Sequence, residues 1–170
     1  GSTALTMTDC TISSNTANYG EGGGLTVSSA TNDDDDDDAD DDNDDDDNDY
    51  ADYYDGDVGV VDTYDDDDDD NVDDTNNGGL SMTGCKISGN RATNSSGGGL
   101  GIWDTANVTI SSCTISENTA TDTGGGLYIT DSATVLLAGC TFTGNSASNN
   151  GNDIYQNSGT LEFYSLCPSG

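Results

Sequence analysis

Apolar residues recur at alternate positions in short runs separated by small and polar residues. Val108 and Ile110 alternate with Thr109 and Ser111, Cys113 and Ile115 with Thr114 and Ser116, and Leu127 and Ile129 flank Tyr128. Period two over three such runs, divided by turn residues, predicts three strands per unit and no helix. The succession then returns: cysteines stand at positions 10, 85, 113, 140 and 167, the last three intervals being 28, 27 and 27 residues.

Each unit reads C-x-[IF]-[ST]-x-N-x-A, with copies at Cys10/Ile12/Asn15/Ala17, Cys85/Ile87/Asn90/Ala92, Cys113/Ile115/Asn118/Ala120 and Cys140/Phe142/Asn145/Ala147. Glycine triplets follow at Gly22–Gly24, Gly97–Gly99 and Gly124–Gly126, with Leu25, Leu100 and Leu127 behind them. A period of this length marks an array whose units bury their core only by stacking on neighbours. Three short strands and three turns consume about 27 residues, one coil of a parallel β-helix, with equivalent residues stacked at ~4.8 Å. The fold class expected is therefore all-β, a parallel β-helix solenoid. The glycines are expected to supply turns with φ > 0 and to let the backbone bend tightly with no Cβ in the way, and the asparagines to bond turn backbone and the amides above and below. The cysteines share the parity of the core residues and point inward. Parallel side chains in register are poorly oriented for a bridge, so free thiols are expected. No C-x-x-C spacing supports a thiolate zinc site.

The pairing of [IF]-x-x-N with G-G-G-L resembles the F-x-x-N and G-G-A-[ILV] repeats of chlamydial polymorphic outer-membrane proteins, and the wider class of right-handed β-helix repeats in bacterial and protist surface proteins. The resemblance covers residues 1–29 and 79–166 and departs in carrying Gly for Ala in the third position of the glycine motif. It implies a right-handed parallel β-helix serving as a cell-surface or secreted adhesive or structural shaft rather than a reaction. Cys167-Pro168-Ser169-Gly170 is similar to the opening C-P-x-G of small cysteine-rich modules that follow such β-helices.

Four segments follow: a first coil over 1–29, an Asp-rich insertion over 30–78, further coils over 79–166, and the start of a cysteine-rich module over 167–170. Neither end reads as a cap, so the chain is expected to be a fragment of a longer one. No apolar run approaches the ~18 residues of a membrane span, and no leader opens at Gly1.

Charge narrows the partners. There are 34 acidic residues against Lys86 and Arg91, with no histidine, for a net charge of −32. Nucleic-acid backbones and anionic membrane surfaces are excluded, because both are bound through Lys and Arg. Twenty-six of the 31 aspartates lie between Asp33 and Asp74. Such runs repel and bury little, while the island from Tyr50 to Tyr64, with Val58, Val60 and Val61, is able to fold back as a strand or patch against the shaft. Ordering the acidic segment needs positive charge from outside. The candidate ligands are Asp33, Asp34, Asp35, Asp36, Asp37, Asp38, Asp65, Asp66, Asp67, Asp68, Asp69 and Asp70. Ca²⁺ is favoured over Mg²⁺, since a loose carboxylate-rich loop suits variable coordination better than a strict octahedron. Asn94-Ser95-Ser96 and Asn107-Val108-Thr109 make Asn94 and Asn107 candidate N-glycosylation sites in a secreted protein.

Catalysis finds little support. Outside the insertion the acids stand singly at Asp9, Glu21, Asp104, Glu117, Asp122, Asp131, Asp153 and Glu162, with no pair spaced to face across a sugar. Without His the many hydroxyls lack a conventional activating base. A carbohydrate-binding or -cleaving β-helix is thus the weaker alternative. An ice-binding β-solenoid is the sharper one: Thr11, Lys86, Thr114, Thr141 and Ser13, Ser88, Ser116, Thr143 would form two outward columns, resembling the T-x-T arrays of β-solenoid antifreeze proteins. The reading preferred is a non-catalytic extracellular or cell-surface structural and adhesive segment, self-associating and binding divalent cations through its polyaspartate loop.

Overall fold

A computed structural model describes residues 5–20, 22–28, 60–61 and 79–165. Within them the chain runs through four sets of strands. The first is β1 (Leu5–Thr8), β2 (Thr11–Ser13), β3 (Thr16–Ala17) and β4 (Leu25–Val27), followed by an isolated β5 (Val60–Val61). Next come β6 (Gly79–Thr83), β7 (Lys86–Ser88), β8 (Arg91–Ala92) and β9 (Leu100–Ile102), then β10 (Asn107–Ser111), β11 (Thr114–Ser116), β12 (Thr119–Ala120) and β13 (Leu127–Ile129). The last set is β14 (Thr134–Ala138), β15 (Thr141–Thr143), β16 (Ser146–Ala147) and β17 (Ile154–Gln156), with β18 (Thr160–Tyr164) beginning another coil. Every pairing is parallel, and all but that of β4 with β5 join successive coils. Four sheets result, ordered β1-β6-β10-β14-β18, β15-β11-β7-β2, β16-β12-β8-β3 and β17-β13-β9-β4-β5. The molecule is the expected all-β solenoid, with no helix among the described residues.

Each coil carries four strands, not the three expected, and the reason is a backbone corner inside the cysteine motif. Ser14, Gly89, Glu117 and Gly144, four residues after each cysteine, all have φ between 57° and 67°. A left-handed residue there turns the chain, so the Asn-x-Ala half of the motif joins a different sheet from the Cys-x-Ile half. A second column of positive φ immediately precedes the cysteines at Asp9, Gly84, Ser112 and Gly139. The glycine motif divides the two duties expected of it among its members. Only its first member bends with positive φ, at Gly22, Gly97, Gly124 and Gly151. The others are there for closeness: a Cβ on Gly98 would lie 2.5 Å from the Gly125 carbonyl oxygen, and one on Gly99 2.5 Å from that of Gly126.

Registry places like on like. Leu80, Val108, Val135 and Leu161 stack in one column, Met82, Ile110, Leu137 and Phe163 in the next, and Ile12, Ile87, Ile115 and Phe142 in a third. Ile87, Ile110, Ile115, Leu127 and Ile129 are fully buried, each large side chain contributing roughly 1.5–3 kcal/mol. The cysteines stack beside the isoleucine column, the N–H of Cys10 meeting Cys85 Sγ at 3.4 Å and that of Cys85 meeting Cys113 Sγ at 3.3 Å. Cys10, Cys85, Cys113 and Cys140 are free thiols.

Asparagine forms the expected ladder. Asn118 Nδ2 donates to Asn145 Oδ1 and to the Ile87 carbonyl, both at 3.0 Å, while Asn118 Oδ1 accepts from Asn90 N–H and Asn90 Nδ2, both at 3.0 Å. Asn15 repeats the arrangement against Asn90. At the other end Asn145 Nδ2 donates to Asp153 Oδ1 at 3.0 Å, so a carboxylate terminates the column. These amides satisfy the corner backbone that the left-handed residues leave unpaired.

Candidate functional surface

With the core filled by Leu, Ile, Val, Cys and Asn, the chemistry available to a partner lies in the outward columns. Thr11, Lys86, Thr114 and Thr141 align on the second sheet, and Ser13, Ser88, Ser116 and Thr143 two residues on. Strand alternation turns both columns out because Ile12, Ile87 and Ile115 turn in. The third sheet adds Thr16, Arg91, Thr119 and Ser146 in register. The two outward hydroxyl columns predicted from the motif are therefore present. Their surface is uneven, however: Lys86 interrupts one, and Ser116 is sunk to 8 % exposure while Ser13 and Thr143 are exposed. Lys86 and Arg91, the only cations of the chain, fall on the same coil.

A smaller polar group sits beside the glycine corners. Ser96 Oγ donates to Asp122 Oδ2 at 3.4 Å and shares a 2.9 Å hydrogen bond with Thr123 Oγ1, and Asn149 Nδ2 donates to Asp122 Oδ1 at 2.6 Å. These contacts bridge adjacent coils and leave Asp122 engaged in structure. The described acids do not come together, and no group of three His, Cys, Asp or Glu suited to a metal forms among the described residues. Asp104 and Asp131 meet on adjacent coils, the Asp104 N–H donating to Asp131 Oδ2 at 3.3 Å. Both sit on left-handed corners, which Asp tolerates through local hydrogen bonds.

Two features of this surface escaped the sequence reading. Tyr128 and Tyr155 stack on the outer face of the fourth sheet, centroids 6.1 Å apart and planes 7° from parallel, above Gly101 in the same column. Their matching places within Leu-Tyr-Ile and Ile-Tyr-Gln were the available signal. Asp153, at the end of the asparagine ladder, gave none, because its role appears only once the register is known. The indole nitrogen of Trp103 is buried without a hydrogen-bond partner among the described residues.

Of the candidate sites, Asn94 and Asn107 are both exposed. Asn94 lies on a turn with φ 61°, and its sequon hydroxyl, Ser96, is buried; Asn107 opens β10. The proposed cation ligands Asp33–Asp38 and Asp65–Asp70, and Cys167, lie outside the described residues. From the island between them, Val60–Val61 returns as β5 and pairs with β4, Thr26 opposite Val60 and Val27 opposite Val61.

Two thiols of the cysteine column are chemically quiet. Burial pushes the Cys113 thiol up from 9.0 to about 11. Burial, followed by hydrogen bonding to Cys85 and the charge a Cys85 thiolate would bring, pushes Cys10 up to about 12. Thiols held neutral at physiological pH are poor nucleophiles and poor metal ligands.

Residues 66–165, more than half of the chain, match a family model described as a right handed beta helix region. No curated protein and no solved structure matches the chain.

Proposed function

Because the chain belongs to the right-handed β-helix family, a family with enzymes and non-enzymes alike, we propose that it is a non-catalytic structural and adhesive segment of an extracellular or cell-surface protein. The observation that carries the reading is the outer face. It consists of hydroxyl side chains in register on the second and third sheets, interrupted by Lys86 and Arg91, while Asp122 and Asp131 are engaged in bonds between coils. Such a surface suits broad lateral contact better than acid–base chemistry, which needs two positioned groups of different pKa. Similarity of the [IF]-x-x-N and G-G-G-L motifs to the repeats of chlamydial polymorphic outer-membrane proteins points the same way, and exposed Asn94 and Asn107 suit a glycosylated, secreted chain.

In this reading the Asp-rich insertion is a polyanionic loop that takes up divalent cations, calcium above all, and presents them to a mineral or a neighbouring subunit. Twenty-six carboxylates without a basic residue between positions 33 and 74 supply the charge. Calorimetric calcium titration tests it. The parent chain should take up several ions weakly, with uptake fading as monovalent salt screens the carboxylates. A variant with Asn in place of Asp at 33–38 and 65–70 should take up markedly fewer. Equal uptake by both would remove the insertion from any metal role.

A further inference from the structure

In a stack of coils the outermost strand of each sheet lacks a neighbour on one side, and its side chains should be the least covered. At one end β17 obeys: Ile154 and Tyr155 are half-buried and Gln156 is exposed. At the other end β1 and β2 obey too, with Leu5 39 % exposed and Ile12 half-buried. At that end β3 is covered only at Ala17, 5 % exposed, with Thr16 exposed. β4, the outermost coil strand of the fourth sheet, is covered along its whole length: Leu25, Thr26 and Val27 are 5 %, 1 % and 1 % exposed. The strand that lies against it is β5, in parallel register with Thr26 and Val27. Parallel pairing on this side of β4 is the position that the equivalent strand of a preceding coil would take.

The origin of β5 fits the place it fills. In later coils the corner between the fourth and first sheets is a short turn over residues 103–106 and 130–133. In the first coil the chain leaves this corner after β4 and enters the Asp-rich insertion. Two β-branched valines suit a strand, and long aspartate runs flank them on both sides in sequence. Apolar strand residues bracketed by like charges are the pattern by which proteins keep sheet edges from pairing with another chain.

We propose that β5 is an edge cap carried by the insertion: it occupies the strand-addition site of the fourth sheet and keeps an apolar strand of this same repeat, from a second copy of the chain, from pairing with β4. The pairing and the burial of β4 carry this whether or not the insertion takes up cations.

Hydrogen exchange read by mass spectrometry tests it on the full chain, comparing the parent with V60D/V61D and with the conservative V60I/V61I. Amides over residues 25–28 should exchange about tenfold faster or more in the aspartate variant and unchanged in the isoleucine variant, with protection over 80–164 equal in all three. Adding a peptide of residues 124–130, a copy of β13 with its glycine corner, should restore protection over 25–28 in the aspartate variant and leave the parent as it was. A V60G/V61G variant gives the same reading where paired aspartates disturb the wider stack. Identical exchange over 25–28 in the parent and in the aspartate and glycine variants would overturn the cap. Failure of the peptide to re-protect an edge that has become fast would overturn the strand-addition site.

Discussion

At the scale of the single residue, the asparagine column shows a polar side chain acting as core. Asn118 is fully buried and bonds to both neighbouring coils through the Ile87 carbonyl, Asn145 Oδ1 and the two donors of Asn90. Asn118→Ala leaves a buried N–H and a buried carbonyl without partners, each costing ~1–3 kcal/mol, so a loss of about 2–5 kcal/mol is expected in urea unfolding. Asn15→Ala, at the half-buried end of the ladder, should cost clearly less. Equal losses would mean the ladder does not transmit between coils. The cysteines give a pH signature. A thiol whose folded pKa lies above its unfolded value stays neutral in the native state while the unfolded chain ionises. Its stabilising effect is full below about pH 9 and is lost as pH rises toward the folded value, about 11 for Cys113. Unfolding free energy should therefore fall between pH 9 and 11 in the parent and fall less in Cys113→Ala. Identical pH slopes for the two proteins would rule out a contribution from this thiol.

At the scale of the element, glycine has two separate duties, and substitution distinguishes them. Gly99 has no room: its Cβ would lie 2.5 Å from the Gly126 carbonyl oxygen and 3.0 Å from Asn118 Nδ2. Gly99→Ala should force two coils apart and cost about 3 kcal/mol. Gly144 has room, with nothing nearer than Glu117 Cγ at 3.6 Å, and only its φ of 67° resists a side chain. Because Ser14 and Glu117 hold the same conformation in its column, Gly144→Ala should cost about 1 kcal/mol. Thermal melts of the two variants in the reverse order would refute this division. The same corner explains what the sequence concealed. Period-two alternation and the cysteine spacing made the strands, the inward faces and the Thr/Ser columns legible, because side-chain parity follows directly from strand geometry. The corner inside the cysteine motif was not legible, since Ser14, Gly89, Glu117 and Gly144 share no side-chain property that announces a left-handed backbone. That is why four strands per coil read as three.

At the scale of the whole molecule, each coil touches only the coils above and below it, so stability should accumulate coil by coil. Composition announced the Asp-rich insertion plainly, but its strand β5 was legible only as an apolar island, because pairing with β4 depends on an edge that exists only after the coils have stacked. The stacking itself makes a strong demand on the sequence. Ala106 and Ala133 occupy equivalent places, each fully buried at the start of the first-sheet strand of its coil. Removing residues 107–133 would therefore join Ala106 to Thr134 at a junction the chain already contains, and bring Cys85 against Cys140, Asn90 against Asn145 and Leu80 against Val135. Every column would close up in kind, and the bare outer edges would remain those of the parent. The shortened chain should keep its β-sheet circular dichroism and unfold cooperatively, with a urea m-value smaller by about a quarter, in proportion to the surface no longer exposed. A chain that failed to fold, or an m-value unchanged from the parent, would show that the coils are not interchangeable units and that the third coil holds contacts beyond its two neighbours.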